Sequence, residues 1–176
     1  LSKGGLYKVY NNNLLYHGCI PLNEDGSFKS VKIYGRSYKG KALYEVLESY
    51  VRKGFYAIDE KERKRGKDMM WYIWLSENSP LFGKYKMATF ERYFLAEKET
   101  HKEKKNPYYD FLENDKVVDR ILKEFGLEHS FSHIINGHMP VKSKNGENPM
   151  KCGGKVFVID GGFSRAYQKQ TGIAGY

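Results

Sequence analysis

Apolar and polar positions alternate near the start of the chain. Leu6-Tyr7-Lys8-Val9-Tyr10 predicts a strand and Leu14-Leu15-Tyr16 a second, with Asn11-Asn12-Asn13 between them. Asparagine tolerates left-handed backbone, so the triplet predicts a hairpin turn. The second strand stops at His17-Gly18-Cys19-Ile20-Pro21, where Gly and Pro break regular structure. Residues 23–38 are polar, with turn chemistry at Asn23-Glu24-Asp25-Gly26. From Lys41 the period changes. Leu43, Val46, Leu47, Tyr50 and Val51 fall on one helical stripe, with Gly54 where a C-terminal cap belongs. Residues 55–75 predict a further helical stretch interrupted at Gly66, its cluster Met69, Met70, Trp71, Ile73 and Trp74 expected in the core. Residues 76–84 predict a loop. Thr89 is expected to cap a short helix through Ala96, Asn106-Pro107 to start another, and Asn114 to cap a third. The apolar face of that third helix is Val117, Val118, Ile121, Leu122 and Phe125, and Gly126 ends it. The last third turns back to strands. Phe131-Ser132-His133-Ile134-Ile135 runs into Asn136-Gly137-His138, and Lys155-Val156-Phe157-Val158-Ile159 into Asp160-Gly161-Gly162. Both suit interior strands. The polar, Gly-rich stretch 143–154 between them predicts a mobile loop, and 163–176 reads as a strand and turn.

Strands, then helices, then strands suit an α/β layered domain. The expected organisation is a strand region over 1–38, a helical insert over 39–128 and a second strand region over 129–176. At 176 residues the chain can bury a core without a disulfide or metal staple. Hydrophobic residues make up 40% and aromatics 15%, too much for a disordered chain. No apolar run approaches the roughly 18 residues of a membrane helix, so no membrane association is expected. Two cysteines exclude a disulfide framework, and no secretory signal pattern is present, which together predict a cytoplasmic protein.

Charge narrows the partners. The net charge is +9, and residues 29–67 hold twelve Lys and Arg against five Asp and Glu. A basic surface favours phosphorylated metabolites, nucleic acid or acidic lipid. The densest run, Lys61-Glu62-Arg63-Lys64-Arg65-Gly66-Lys67, reads equally as a solvated helix face.

Two histidines share one grammar. His17 follows Leu14-Leu15-Tyr16, and His138 follows Ile134-Ile135-Asn136-Gly137. Each stands at the end of an apolar strand beside a glycine. Strand ends aim side chains accurately and glycine lets a ligand approach, which suits a metal-ligating imidazole. A buried, hydrogen-bonded histidine fits the same spacing. Asp160 after a strand could hold a carboxylate against a histidine or substrate, or be a solvated turn residue. Asn136 could donate a hydrogen bond behind a ligand, or simply make a turn. Cys19 beside His17 lacks the spacing of a designed proton-transfer pair. No Gly-rich phosphate loop, dinucleotide fingerprint or zinc HExxH occurs. Lys84-Tyr85-Lys86 and Asn106-Pro107-Tyr108-Tyr109 could stack on bases or be ordinary surface.

Leu14-Leu15-Tyr16-His17-Gly18-Cys19-Ile20-Pro21, Asn136-Gly137-His138-Met139-Pro140-Val141 and Val158-Ile159-Asp160-Gly161-Gly162-Phe163 follow the order found in calcineurin-like metallophosphoesterases. Together with Ser79-Pro80-Leu81-Phe82-Gly83-Lys84, Met87-Ala88-Thr89-Phe90-Glu91-Arg92-Tyr93-Phe94 and Asn106-Pro107-Tyr108-Tyr109, the chain resembles the class III fructose-1,6-bisphosphatases of Firmicutes from near Leu6 to Tyr176. The resemblance implies part of a four-layer α/β/β/α sandwich that holds two divalent metals, commonly Mn²⁺, at strand ends. It matches His17 to the ligand of the family's fourth motif and His138 to that of the fifth, on the same metal. Pro140 stands where many relatives carry a second histidine, as in the phosphoprotein-phosphatase and dinucleoside-tetraphosphatase branches. The implied activity is gluconeogenic: hydrolysis of the 1-phosphate of fructose 1,6-bisphosphate, with the metals polarising the phosphoryl group and supplying hydroxide for in-line attack. Lys84, Arg92 and Arg165 are the candidates for offsetting phosphate charge, with Asn136 and Asp160 around the metal.

The family's first three motifs are not in this sequence, so the resemblance implies the C-terminal part of a catalytic domain, inactive by itself. Two other readings stay open: a related metallophosphatase acting on phosphoproteins or dinucleoside polyphosphates, and a basic nucleic-acid-binding module. The wide separation of the two histidine motifs favours the sugar bisphosphatase over the related metallophosphatases; no nucleic-acid partner is expected. A homo-oligomer is possible.

Overall fold

The computed structural model describes residues 3–128 and 131–161, together with 165, 168, 171 and 172. Where the stretch 163–176 is described it is not the expected strand: Arg165, Gln168 and Thr171 are helical, and apart from Gly172 the rest lies outside the described residues. The chain divides into two compact units: residues 2–18 with 110–176, and residues 19–109.

The first unit is built on a five-stranded mixed sheet. β1 (Tyr7–Tyr10) pairs antiparallel with β2 (Asn13–Tyr16) through the expected asparagine turn. Asn11 and Asn12 both have positive φ, 46° and 59°, which is what the two-residue hairpin turn that matches strand twist demands. The other strands come from the far end of the chain. In the order β1-β2-β5-β7-β6, β5 (His133–Asn136) lies parallel to both β2 and β7 (Val156–Val158). The register puts Leu14, Ile134 and Val156 in one row across the sheet, each 0% exposed. Burying such side chains stabilises the fold by about 1.5–3 kcal/mol each. β5 and β7 are interior strands, as their apolar runs predict. The stretch 143–154 is not simply a mobile loop. Within it β6 (Met150–Lys151) pairs antiparallel with β7 at the sheet edge.

One helix of this unit follows its sequence pattern closely. α4 (Asp115–Glu124) starts at Asn114, whose side chain accepts a hydrogen bond from the Val117 N–H. It buries Val117, Val118, Ile121 and Leu122, and stops before Gly126 at φ 78°. Lys155, at the entry to β7, ties the helix down by donating to Asp119 at 2.7 Å and pairing with Asp115 at 3.0 Å. These carboxylates push the Lys155 ammonium pKa above its usual range, and Lys155 and Cys152 hold Asp115 below its own.

The second unit is mainly helical. α1 (Gly40–Tyr56) and α2 (Glu60–Leu75) form an antiparallel hairpin. Gly54 does not cap α1, and Gly66 does not interrupt α2. Both lie inside continuous helices, where the two backbones touch. A Cβ on Gly66 would stand 2.1 Å from the Gly54 nitrogen. The apolar cluster of α2 is only partly core: Met69 and Ile73 are buried, whereas Trp71 and Trp74 are 67% and 68% exposed. The core packs Leu43, Tyr44 and Leu47 with Cys19, Ile20 and Leu22, and the Tyr44 hydroxyl donates to the Cys19 carbonyl at 2.9 Å. Residues 23–38 contain a hairpin that their polarity hid, β3 (Val31–Ile33) and β4 (Arg36–Tyr38), turning at Tyr34 and Gly35 with φ 45° and 84°. α3 (Thr89–Phe94) is capped by the backbone at Ala88, not by Thr89, and Asn106-Pro107 opens a single 3-10 turn, Pro107–Asp110. The protein is therefore mixed α/β, and among the described residues no helix is long and apolar enough to cross a membrane.

Candidate metal centre

Three parallel strands, β2, β5 and β7, end on one edge of the sheet. In open sheets the carboxyl ends of parallel strands are where ligands bind, because successive loops leave there together. The register aligns Tyr16, Asn136 and Val158, so the residues that follow them share this edge. Backbone bonds stitch the loops: the Gly137 N–H donates to the His17 carbonyl at 2.9 Å, and the Ile159 N–H to the Asn136 carbonyl at 2.8 Å.

His17 and His138, 121 residues apart, meet here. His17 Nε2 and His138 Nδ1 are 3.0 Å apart, and the rings stand edge to face at 4.8 Å between centroids. The two nitrogens are close enough for a proton on one to be accepted by the other. His17 is exposed and His138 half-buried, so the pair is open to a ligand. His138 has φ 68°, and the Met139 N–H donates across it to the Gly137 carbonyl at 2.8 Å. That is the positive-φ γ-turn, a strained form for an L-residue that costs about 1–3 kcal/mol and is found where geometry serves function.

Asn136 is the last residue of β5, two before His138. Its Nδ2 donates to the Gly18 carbonyl at 3.1 Å, which fixes the amide orientation. Its Oδ1 is buried and has no partner among the described residues. Such a buried acceptor is usually met by an ordered water, an ion or a substrate group. Asp160 is on the same edge. Its carbonyl accepts from the Val141 N–H at 2.8 Å, and its side chain faces Gly137. Arg165 is exposed in the same unit.

The imidazole pair fits a divalent cation. Two ring nitrogens 3.0 Å apart could be shared by one divalent ion, for which imidazole is a suitable ligand. Two imidazoles are not a full site. Among the described residues no group of three or more His, Cys, Asp or Glu side chains is arranged to hold a metal.

Lys84 and Arg92 belong to the helical unit, where they converge on Glu103. Lys84 Nζ donates to Glu103 Oε2 at 2.8 Å, and Arg92 Nη2 lies 3.5 Å from Oε1. The Ala88 N–H also donates to Oε1, at 3.0 Å. Partial burial pushes the Glu103 carboxyl up, but the Lys84 hydrogen bond, the Ala88 N–H and the two cationic charges outweigh it and hold the pKa below the usual range. Sequence reasoning missed Glu103. It sits in the charged run Lys102-Glu103-Lys104-Lys105, which has no periodicity to mark one carboxylate as a hub. Cys19 is completely buried, and that burial raises its thiol pKa well above the ordinary range, away from use as a nucleophile.

The geometry of paired imidazoles at parallel strand ends defines a candidate metal-binding domain, and comparison with known proteins gives its family. The chain belongs to the Firmicute fructose-1,6-bisphosphatase family, which matches residues 1–176. The fructose-1,6-bisphosphatase class 3 of Clostridioides difficile (strain 630) is 62% identical over 176 residues, covering 99% of this chain and 27% of that protein. Those of Clostridium novyi (strain NT) and Clostridium acetobutylicum are 58% and 59% identical, each over 99% of this chain and 26% of the relative. The chain thus spans about a quarter of the length of the curated relatives it matches. No solved structure matches it.

Proposed function

We propose that this chain supplies the imidazole side of a divalent-metal phosphatase centre, and that the protein containing it hydrolyses fructose 1,6-bisphosphate to fructose 6-phosphate and phosphate. The observation that carries the reading is the 3.0 Å approach of His17 Nε2 to His138 Nδ1 at the ends of two parallel strands. Family membership supports the substrate, and the fold around the pair would be part of an α/β/β/α sandwich. The ion would be Mn²⁺, one of two. When bound, it would supply Lewis-acid polarisation of a phosphoryl oxygen.

The chain's own residues do the holding. His17 and His138 would hold the ion through one ring nitrogen each. Asn136 clamps the Gly18 carbonyl and so fixes the loop that aims His17. Its free Oδ1 would accept a hydrogen from a water or substrate hydroxyl beside the pair. Asp160 would lend negative charge to the same edge. Arg165 would meet substrate phosphate. Neutral imidazoles cannot balance two divalent ions, which requires carboxylates. The 176-residue chain should therefore bind Mn²⁺ weakly and release no phosphate from fructose 1,6-bisphosphate.

The test is paramagnetic. Mn²⁺ added to ¹⁵N-labelled chain should broaden the His17 and His138 ring signals and the Asn136 side-chain amide before those of His101 or His133. His17→Ala should abolish the effect at His138. Uniform broadening across the histidines would remove the site, and phosphate release by this chain alone would remove the division of labour.

A further inference from the structure

The helical unit carries a cleft that the phosphatase reading leaves unused. Its volume is about 250 Å³, smaller than a drug-sized pocket. Asn106 lines it and is 7% exposed. The Asn106 Oδ1 accepts two backbone hydrogen bonds, from the Leu22 N–H at 3.2 Å and the Tyr108 N–H at 3.0 Å. An amide oxygen committed to two donors cannot flip, so the Nδ2 group is held pointing the other way. Among the described residues nothing accepts its hydrogens. A buried side chain therefore offers a preset N–H donor in the cleft.

Charge in the wall has the matching sign. Lys29, Lys104 and Lys105 line the cleft against Glu24 and Glu77. Lys104 is spent on Glu24, to which it donates at 2.7 Å. Lys105 lies over the Tyr109 ring at 5.9 Å, and among the described residues no carboxylate meets Lys29 or Lys105. Glu77 accepts from the Asn78 side-chain amide at 3.3 Å. Two uncommitted ammonium groups thus outnumber one carboxylate beside a fixed amide donor. We propose that this cleft binds the dianionic head of a small phosphomonoester, through the Asn106 amide and the ammonium groups of Lys29 and Lys105. Two cations and a neutral donor suit a dianion with three oxygens better than a single carboxylate.

Binding, not turnover, decides this, so the proposal stands apart from the metal centre. Inorganic phosphate and methyl phosphate are titrated into the ¹⁵N-labelled 176-residue chain, with chloride at matched ionic strength as the control. Saturable shifts of the Asn106 side-chain amide are expected with both phosphates and not with chloride. Lys29→Gln and Lys105→Gln should each weaken binding by about 5–10-fold, and Glu77→Gln should tighten it by a similar factor. Asn106→Asp keeps an acceptor for Leu22 and Tyr108 but turns an oxygen into the cleft, so binding should be lost. His17→Ala should change nothing here. Absence of saturation, equal shifts with chloride, or affinities unmoved by the lysine and Glu77 variants would overturn the proposal. Those three variants replace surface-accessible side chains, so they decide it even where Asn106→Asp fails to fold.

Discussion

At the scale of single residues, His138 carries the most demand. It must hold its ring against His17 while its backbone sits at φ 68°. Its place was legible because an apolar strand and a glycine precede it. The left-handed backbone was not, since nothing in a histidine's neighbours marks the sign of φ. This separates two roles that one side chain combines. Asparagine adopts positive φ readily, whereas a β-branched residue is a genuine outlier there. His138→Asn should keep stability within about 0.5 kcal/mol of the parent by urea unfolding, while His138→Val should cost about 1–3 kcal/mol. Both should lose the Mn²⁺ broadening at His17. Equal stability of the two variants would show that position 138 bears no backbone strain. Asn136 and Asp160 were legible only as alternatives. What resolved Asn136 was a register, Tyr16 opposite Asn136, set by pairing between strands 120 residues apart.

At the scale of elements, success followed periodicity. α4 was read from cap to terminating glycine because its stripe and its punctuation agree. β2, β5 and β7 were read because apolar runs end at glycine. Two failures have physical reasons. The β3–β4 hairpin turns on Tyr34-Gly35, not on the Asn-Gly or Asp-Gly pair that announces such turns. In the sequence the glycines of α1 and α2 read as helix ends or breaks, because glycine inside a helix costs up to about 1 kcal/mol relative to alanine. They are tolerated because they are where two helices touch. A Cβ on Gly66 would also lie 2.5 Å from the Tyr50 carbonyl oxygen, with backbone on every side and no flexible side chain to yield. Gly66→Ala should therefore destabilise the protein by about 2–4 kcal/mol, despite alanine's better propensity, since overpacking and separation of the hairpin outweigh it. Lys67→Ala, one residue along on the exposed face, should be within about 0.5 kcal/mol of neutral. A Gly66→Ala protein as stable as the parent in thermal unfolding would mean that the helices do not touch there.

At the scale of the whole molecule, composition misled in one respect. A cluster of Met and Trp reads as core, yet burial is decided by which helical face meets a partner. Gly66, Met69 and Ile73 take the inner stripe of α2, and Lys64, Lys67, Trp71 and Trp74 share the outer one at spacings of a helical turn. These are the only two tryptophans in the chain, so fluorescence reports this face alone. Their emission should resemble indole in water and be strongly quenched by acrylamide. The charge of the quencher should also matter. The neighbouring lysines, on a chain of net charge +9, concentrate anions and repel cations. Iodide should thus quench more efficiently than caesium at low ionic strength. The difference should shrink as added salt shortens the screening length from about 30 Å at 0.01 M to about 3 Å at 1 M. Lys64→Gln with Lys67→Gln should narrow it without salt, leaving acrylamide quenching unchanged. Emission shielded from all three quenchers would place the tryptophans in a packed environment. Equal quenching by iodide and caesium at low salt would separate them from the lysines that share their stripe.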